Sequence, residues 1–166
     1  MKTIYLAGGC FWGTQRFFDQ FKGVIGTSVG YANGGTENPS YQDVCRGSGH
    51  AETVRIDFDE EKLSLTDLLE YYFMAIDPTS VNRQGGDSGI QYRTGIYYSD
   101  ENMLPEIEAF MLRKRKEYAV PLAVEVGKLL NFYDAEEYHQ KYLSKNPGGY
   151  CHIPNRLFSL EKKAGS

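Results

Sequence analysis

A mixed α/β fold in one domain is predicted by three features of the sequence. Stretches of period-two hydrophobicity alternate with stretches of helical period, long glycine-rich segments separate them, and no internal repeat or interdomain linker interrupts the order. The 166 residues, 41% of them hydrophobic, suffice for one sizeable core.

Residues 3–7 alternate around Ile4 and Leu6 as a short strand. Phe17, Phe18 and Phe21 then fall at helical spacing and place a helix from near Cys10 to about Lys22–Gly23. A second strand covers 24–32, after which "NGGTENPS" (33–40) begins a long loop that runs through "CRGSG". The clearest strand is "ETVRIDF" (52–58), with Val54, Ile56 and Phe58 on one face and Thr53, Arg55 and Asp57 on the other. "SLTDLLEYYFMAID" reads as a helix with Ser64 and Asp67 as a capping box and Leu65, Leu68, Leu69, Tyr72, Phe73 and Ile76 as its apolar stripe. "NRQGGDSG" leads into a strand at 91–98, and Ser99 is placed to cap a helix that buries Ile107, Phe110, Met111 and Tyr118. A strand near 123–126, a helix across 134–144 and an irregular tail from about 145 complete the chain.

A net charge of −4 argues against nucleic acid, and no run approaches the roughly 20 apolar residues of a membrane span. "MKTIYLAGG" carries one lysine and too short an apolar stretch for a signal peptide, so a cytoplasmic protein is expected; separately, a monomer is expected. Three cysteines, Cys10, Cys45 and Cys151, are an odd number without short paired spacings. They fit neither a disulfide framework nor a metal site, leaving inert buried thiols or redox or nucleophilic chemistry. The 13 tyrosines, several beside glycine or polar residues, suit the wall of a small ligand with a polar head.

Cys10 follows a strand and two glycines and stands at a predicted helix N-terminus, where free N–H groups and the macrodipole favour a thiolate. The strand alternation, extended backwards, puts Glu52 on the apolar face of Val54, Ile56 and Phe58. Burial there without a cation makes a carboxyl that is protonated at neutral pH, a general acid; solvation, or pairing with Arg55 or Arg16, is the bland alternative. His50 is a competing acid–base candidate. Asp87 in "GGDSG" reads as an Asx-turn, and Tyr41 and Tyr92 as half-buried structural residues. Cys151, after "NPGGY" in a mobile-looking tail, has the placement a resolving thiol needs. Two other readings compete. Cys10 to Arg16 has the C-x5-R spacing of cysteine-dependent phosphatases, although Phe11 and Trp12 would crowd a phosphate; the aromatics could instead form a non-catalytic binding cage.

Taken together, "GCFWG" (9–13), "NPSYQDVC" (38–45), "GHAE" (49–52), "RQGGDSGIQYR" (83–93) and "YHQKYL" through "KNPGGYC" (138–151) resemble, in order, the methionine sulfoxide reductase A family. The resemblance implies a single catalytic domain with a two-layer sandwich, a mixed, mainly antiparallel sheet, a ferredoxin-like core and long coils. It implies Cys10 as nucleophile on the sulfoxide sulfur, Phe11 and Trp12 around the S-methyl group, and Glu52 as proton donor to the oxygen. Tyr41 and Tyr92 would hydrogen-bond that oxygen, Asp87 would help order the site, and Cys151 would resolve the Cys10 sulfenic acid as a disulfide. The implied substrate is the S epimer of methionine sulfoxide, free or in proteins, with thioredoxin or a similar dithiol as reductant and no metal or other cofactor. Two positions depart from the pattern. Gln15 stands where the family often has glutamate, with a structural consequence at most expected. No cysteine follows Cys151, so a single resolving step is expected; Cys45 matches a cysteine of some members and is an alternative thiol.

Overall fold

The computed structural model describes residues 1–160. A six-stranded sheet is built from β1 (Lys2–Gly8), β2 (Val24–Ala32), β3 (Ala51–Phe58) and β6 (Thr94–Tyr98), flanked by edge strands β7 (Glu125–Lys128) and β8 (Phe132–Asp134). Its order is β7-β6-β1-β3-β2-β8; every neighbouring pair is antiparallel except β6 with β7. The alternating mixed α+β fold expected from the sequence is therefore present, with a mainly antiparallel sheet.

Helices α1 (Phe11–Asp19), α3 (Leu65–Ala75) and α4 (Leu104–Glu117) contribute to the main core, where Phe17, Phe18, Leu68, Leu69, Tyr72, Ile107 and Phe110 meet Ile4, Leu6, Val54, Ile56 and Phe58 of the sheet. A smaller cluster of Ala7, Ala32, Ala51 and Tyr97, with Tyr5 and Phe132 against it, forms separately. Tyr72 is fully buried, and its hydroxyl donates to the Ala7 carbonyl at 2.5 Å and accepts from the Gly95 N–H at 3.0 Å, joining α3 to both β1 and β6.

Several boundaries differ from the sequence reading. Helix α1 stops at Asp19, with Gln20 as its cap, and Phe21 turns back to pack. The segment read as a continuous loop contains α2 (Tyr41–Cys45), because Ser40 and Asp43 form a reciprocal capping box. At α3 only half of the expected box exists: Ser64 accepts from the Asp67 N–H. The 91–98 strand begins at Thr94, since Ile90–Tyr92 coil into a 3₁₀ turn. Asp100, and not Ser99, caps the turn before α4, which has Pro105 in its first turn.

The helix expected across 134–144 is not one helix. Residues 132–134 join the sheet as β8, 137–139 make a 3₁₀ turn, and Lys141, at φ 54°, separates that turn from the short α5 (Tyr142–Lys145). Tertiary bonds override helical period here: the Gln140 side chain accepts from Val29 N–H and donates to the carbonyls of Val29 and Ala135, continuing the β2 ladder. The tail is also less irregular than expected. Residues 155–159 form a 3₁₀ helix, Leu157 is buried, and Phe158 meets Phe17 edge-on.

Replacing Tyr72 by Phe leaves the Gly95 N–H buried without its acceptor. We expect a loss of about 1–3 kcal/mol in urea unfolding.

Candidate active site

Cys10 is the N-cap of α1, and the preceding Gly9 takes φ +87° to make the turn out of β1. Gly9 also has no room for a side chain: a Cβ there would lie 2.6 Å from Gln84 Cβ. The N–H groups of Trp12 and Gly13, free at the helix start, lie near the Cys10 sulfur and favour its charged form, although no side-chain hydrogen bond caps the helix there. The expected acidic thiol is nevertheless not its resting state. Burial, reinforced by the Glu52 carboxylate, pushes the thiol well above its ordinary value, outweighing the helical N–H groups.

Glu52 lies at the start of β3 and is 1% exposed. Its Oε1 accepts from the Phe11 N–H at 3.2 Å, so the carboxyl sits against the first turn of α1, beside Cys10. Neither bland alternative holds. Arg55 is exposed on the opposite face and pairs with Asp57, and Arg16 is exposed with its guanidinium 4.9 Å from the centre of the Phe158 ring. Burial raises the carboxyl from 4.5 to about 8, with Asp87 adding to it and the Phe11 N–H opposing. The position of Arg16 also removes the phosphate cradle that C-x5-R spacing suggested.

Tyr41 opens α2 and Tyr92 closes the 3₁₀ turn before β6, and their half-buried phenols are neighbours. Burial and, among other neighbours, the Glu52 carboxyl push both phenols up, so both stay protonated hydrogen-bond donors. Asp87 is carried by a tight hairpin, β4 (Arg83–Gln84) and β5 (Asp87–Ser88), turned by Gly85 at φ +60°. Its Oδ2 is buried without a partner among the described residues. Gln84 anchors the hairpin by bonding Asp77 N–H and C=O, both at 2.8 Å.

Phe11 is fully buried and Trp12 half-buried. The sequence reading missed what orients them. Trp12 donates from Nε1 to His139 Nδ1 at 2.9 Å and stacks on Tyr142 at 3.8 Å between ring centres. His139 also touches the rings of Phe11, Tyr41 and Tyr138. Glu136 accepts from Tyr31 O–H at 2.8 Å and Tyr41 N–H at 3.0 Å, fixing the start of α2. The motif "YHQKYL" was the available signal, but its helical reading hid these contacts. Gln15 is buried and structural, as expected: it accepts from Lys141 N–H and donates to Thr27.

Cys151 reaches this site from the tail. A Cβ on Gly13 would lie 2.9 Å from the Cys151 sulfur, so the glycine ending "GCFWG" makes the space that the thiol approaches. Cys45, by contrast, is exposed at the end of α2, near the Tyr41 phenol. His50 is buried elsewhere, with Nδ1 2.8 Å from Ser48 Oγ, and takes no part in the cluster. All three cysteines are free.

The arrangement brings together a cysteine at a helix start, a buried carboxyl, two phenols and a second thiol on an adjoining segment. The family model described as peptide methionine sulfoxide reductase matches residues 2–164, and the chain belongs to that family. Peptide methionine sulfoxide reductase MsrA of Lachnoclostridium phytofermentans is 58% identical over 98% of this chain and 99% of its own. Among solved structures, methionine sulfoxide reductase A of Corynebacterium diphtheriae superposes with TM-score 0.87 at 34% identity, covering 93% of this chain and 83% of that one. Reduced Mxr1 of Saccharomyces cerevisiae gives 0.86 at 37%, covering 91% and 88%. Mxr1 has also been solved in complex with Trx2, where the match is 0.63 at 24% identity, covering 92% and 86%.

Because Glu52 binds its proton more tightly folded than unfolded, its contribution to stability is full below about 4.5 and is lost as pH rises to about 8. Melting temperature against pH should show that loss in the parent, and Glu52→Gln should flatten it.

Proposed function

We propose that this protein reduces the S epimer of methionine sulfoxide, free or in proteins, to methionine, and that its cysteines carry the chemistry. The observation that supports this most is the pairing of the Cys10 thiol with a buried carboxyl that keeps its proton up to about pH 8. A sulfoxide oxygen leaves poorly unless it is protonated, and this carboxyl supplies the proton.

In the proposed reaction the Cys10 sulfur attacks the sulfoxide sulfur, with Phe11 and Trp12 around the S-methyl group. Glu52 protonates the oxygen, and Tyr41 and Tyr92, held neutral by burial, donate to it as charge develops. Asp87 orders the site through its free carboxylate oxygen. The N–H groups of Trp12 and Gly13 favour the Cys10 thiolate as its proton passes to the Glu52 carboxylate, replacing the one given to the oxygen. The products are methionine and a Cys10 sulfenic acid, the oxygen having passed from substrate sulfur to enzyme sulfur. Cys151 condenses with the sulfenic acid, releasing water and forming a disulfide, and thioredoxin or a similar dithiol reduces it. The electrons come from that external dithiol, without a metal or prosthetic group. Residues 1–166 act as one catalytic domain, as a cytoplasmic monomer.

Cys10→Ser should abolish reduction of methionine sulfoxide in a stereochemically resolved assay; retained activity would overturn the assignment. Cys151→Ser should form about one methionine per enzyme yet turn over poorly with thioredoxin, and normal turnover would remove Cys151 from the mechanism. Glu52→Gln should slow methionine formation by roughly 10²-fold. The parent rate should fall as pH rises through about 8, the Glu52 value. A rate for Glu52→Gln within a fewfold of the parent would refute the acid role.

A further inference from the structure

We infer that His152 is the base that takes the Cys151 proton when the disulfide forms, an inference that rests on the function proposed above. The His152 ring lies over the turn that carries Cys10, where Gly9 and Gly13 leave it room: a Cβ on either glycine would stand 3.1–3.3 Å from a ring nitrogen. Its Nε2 is 2.9 Å from the Gly8 carbonyl oxygen. A carbonyl only accepts, so Nε2 carries hydrogen, and in the neutral ring Nδ1 keeps its lone pair. That Nδ1 is buried and has no partner among the described residues.

The free lone pair is close to the thiol that must lose a proton. The point where a Gly13 Cβ would stand is 2.9 Å from Cys151 Sγ and 3.3 Å from His152 Nδ1. Those two distances bound the separation of sulfur and nitrogen at about 6 Å. At rest, the Cys151 thiol donates to the Ile153 carbonyl at 3.6 Å, and burial keeps it protonated despite Arg16 nearby. Burial likewise favours the uncharged His152 ring, opposed by its bond to Gly8 and by Asp87. A thiol turning from Ile153 towards Cys10 therefore needs an acceptor, and Nδ1 is an unpartnered one within about 6 Å of it.

The step balances. Nδ1 takes the proton from Cys151 Sγ, whose electron pair forms the bond to Cys10 sulfur as the bond from that sulfur to its hydroxyl breaks. The hydroxyl leaves with the proton returned from the imidazolium, as water. Cys151 sulfur is oxidised, the Cys10 sulfenic sulfur is reduced, and the ring ends neutral.

The test separates the base from the tether. His152→Gln keeps a side-chain N–H able to reach the Gly8 carbonyl but has no titratable nitrogen; His152→Ala has neither. With free methionine sulfoxide and no reductant, rapid quench measures the methionine burst, and loss of free thiols measures disulfide formation. We expect the ratio of the second rate to the first to fall about 10²-fold in both variants, the usual scale of general base catalysis. Added imidazole should raise that ratio for His152→Ala. A parent-like ratio in His152→Gln, or no response of His152→Ala to imidazole, would show that the ring is only a tether and overturn the inference. Absence of any burst in the parent would instead overturn the proposed function, and this inference with it.

Discussion

A carboxyl buried beside a thiol, with no cation paired to it among the described residues, is the constraint on which the site depends. Glu52 is inaccessible because β3 is an interior strand whose face meets α1, and the one hydrogen bond of its carboxyl among the described residues is from the Phe11 N–H at 3.2 Å. A charged carboxylate in that position is costly, so the group keeps its proton into the neutral range. The same low-polarity surroundings hold Tyr41 and Tyr92 as donors and Cys10 as a thiol. Acid, phenols and nucleophile thus share a single cause, their withdrawal from water behind β1, α1 and the loops.

That withdrawal depends on glycines as much as on large side chains. Gly9 gives the turn that brings Cys10 to the helix start, and Gly13 is bare where Cys151 and His152 approach. Gly85 leaves space for His152 Cβ, only 2.9 Å from where its own Cβ would be, and so the tail closes against the Asp87 hairpin. Opposite the tail, His139 and Glu136 fix the aromatic wall, each through bonds to segments about a hundred residues away in sequence. Precise placement of this kind is what a reaction at one small sulfur centre requires.

Much of this was legible in the residues. The alternation of "ETVRIDF" identified both β3 and the face on which Glu52 lies, because a two-residue period leaves no freedom about which side chains share a face. Phe17 and Phe18 of α1 and the α3 stripe were readable from helical period, while Phe21 joins the same cluster from beyond the helix end. Less was legible between 131 and 145, where helical period concealed an edge strand, a 3₁₀ turn and a left-handed Lys141. The short helix at Tyr41 had a local signature in Ser40 and Asp43, obscured by the glycines and proline before it. The acidity expected of Cys10 failed differently: the helix start is there, but local sequence does not report desolvation.

By itself the sequence determined the succession of strands and helices, the chemical types available and the apolar face that carries Glu52, since these follow from local period and side-chain chemistry. Only the tertiary structure decided which of them act on one another. It set Arg16 over Phe158 instead of beside Cys10, brought Cys151 and His152 to Gly13, and tied Trp12 to His139. Those outcomes depend on burial and on contacts between distant segments, whose energies no local pattern of residues encodes.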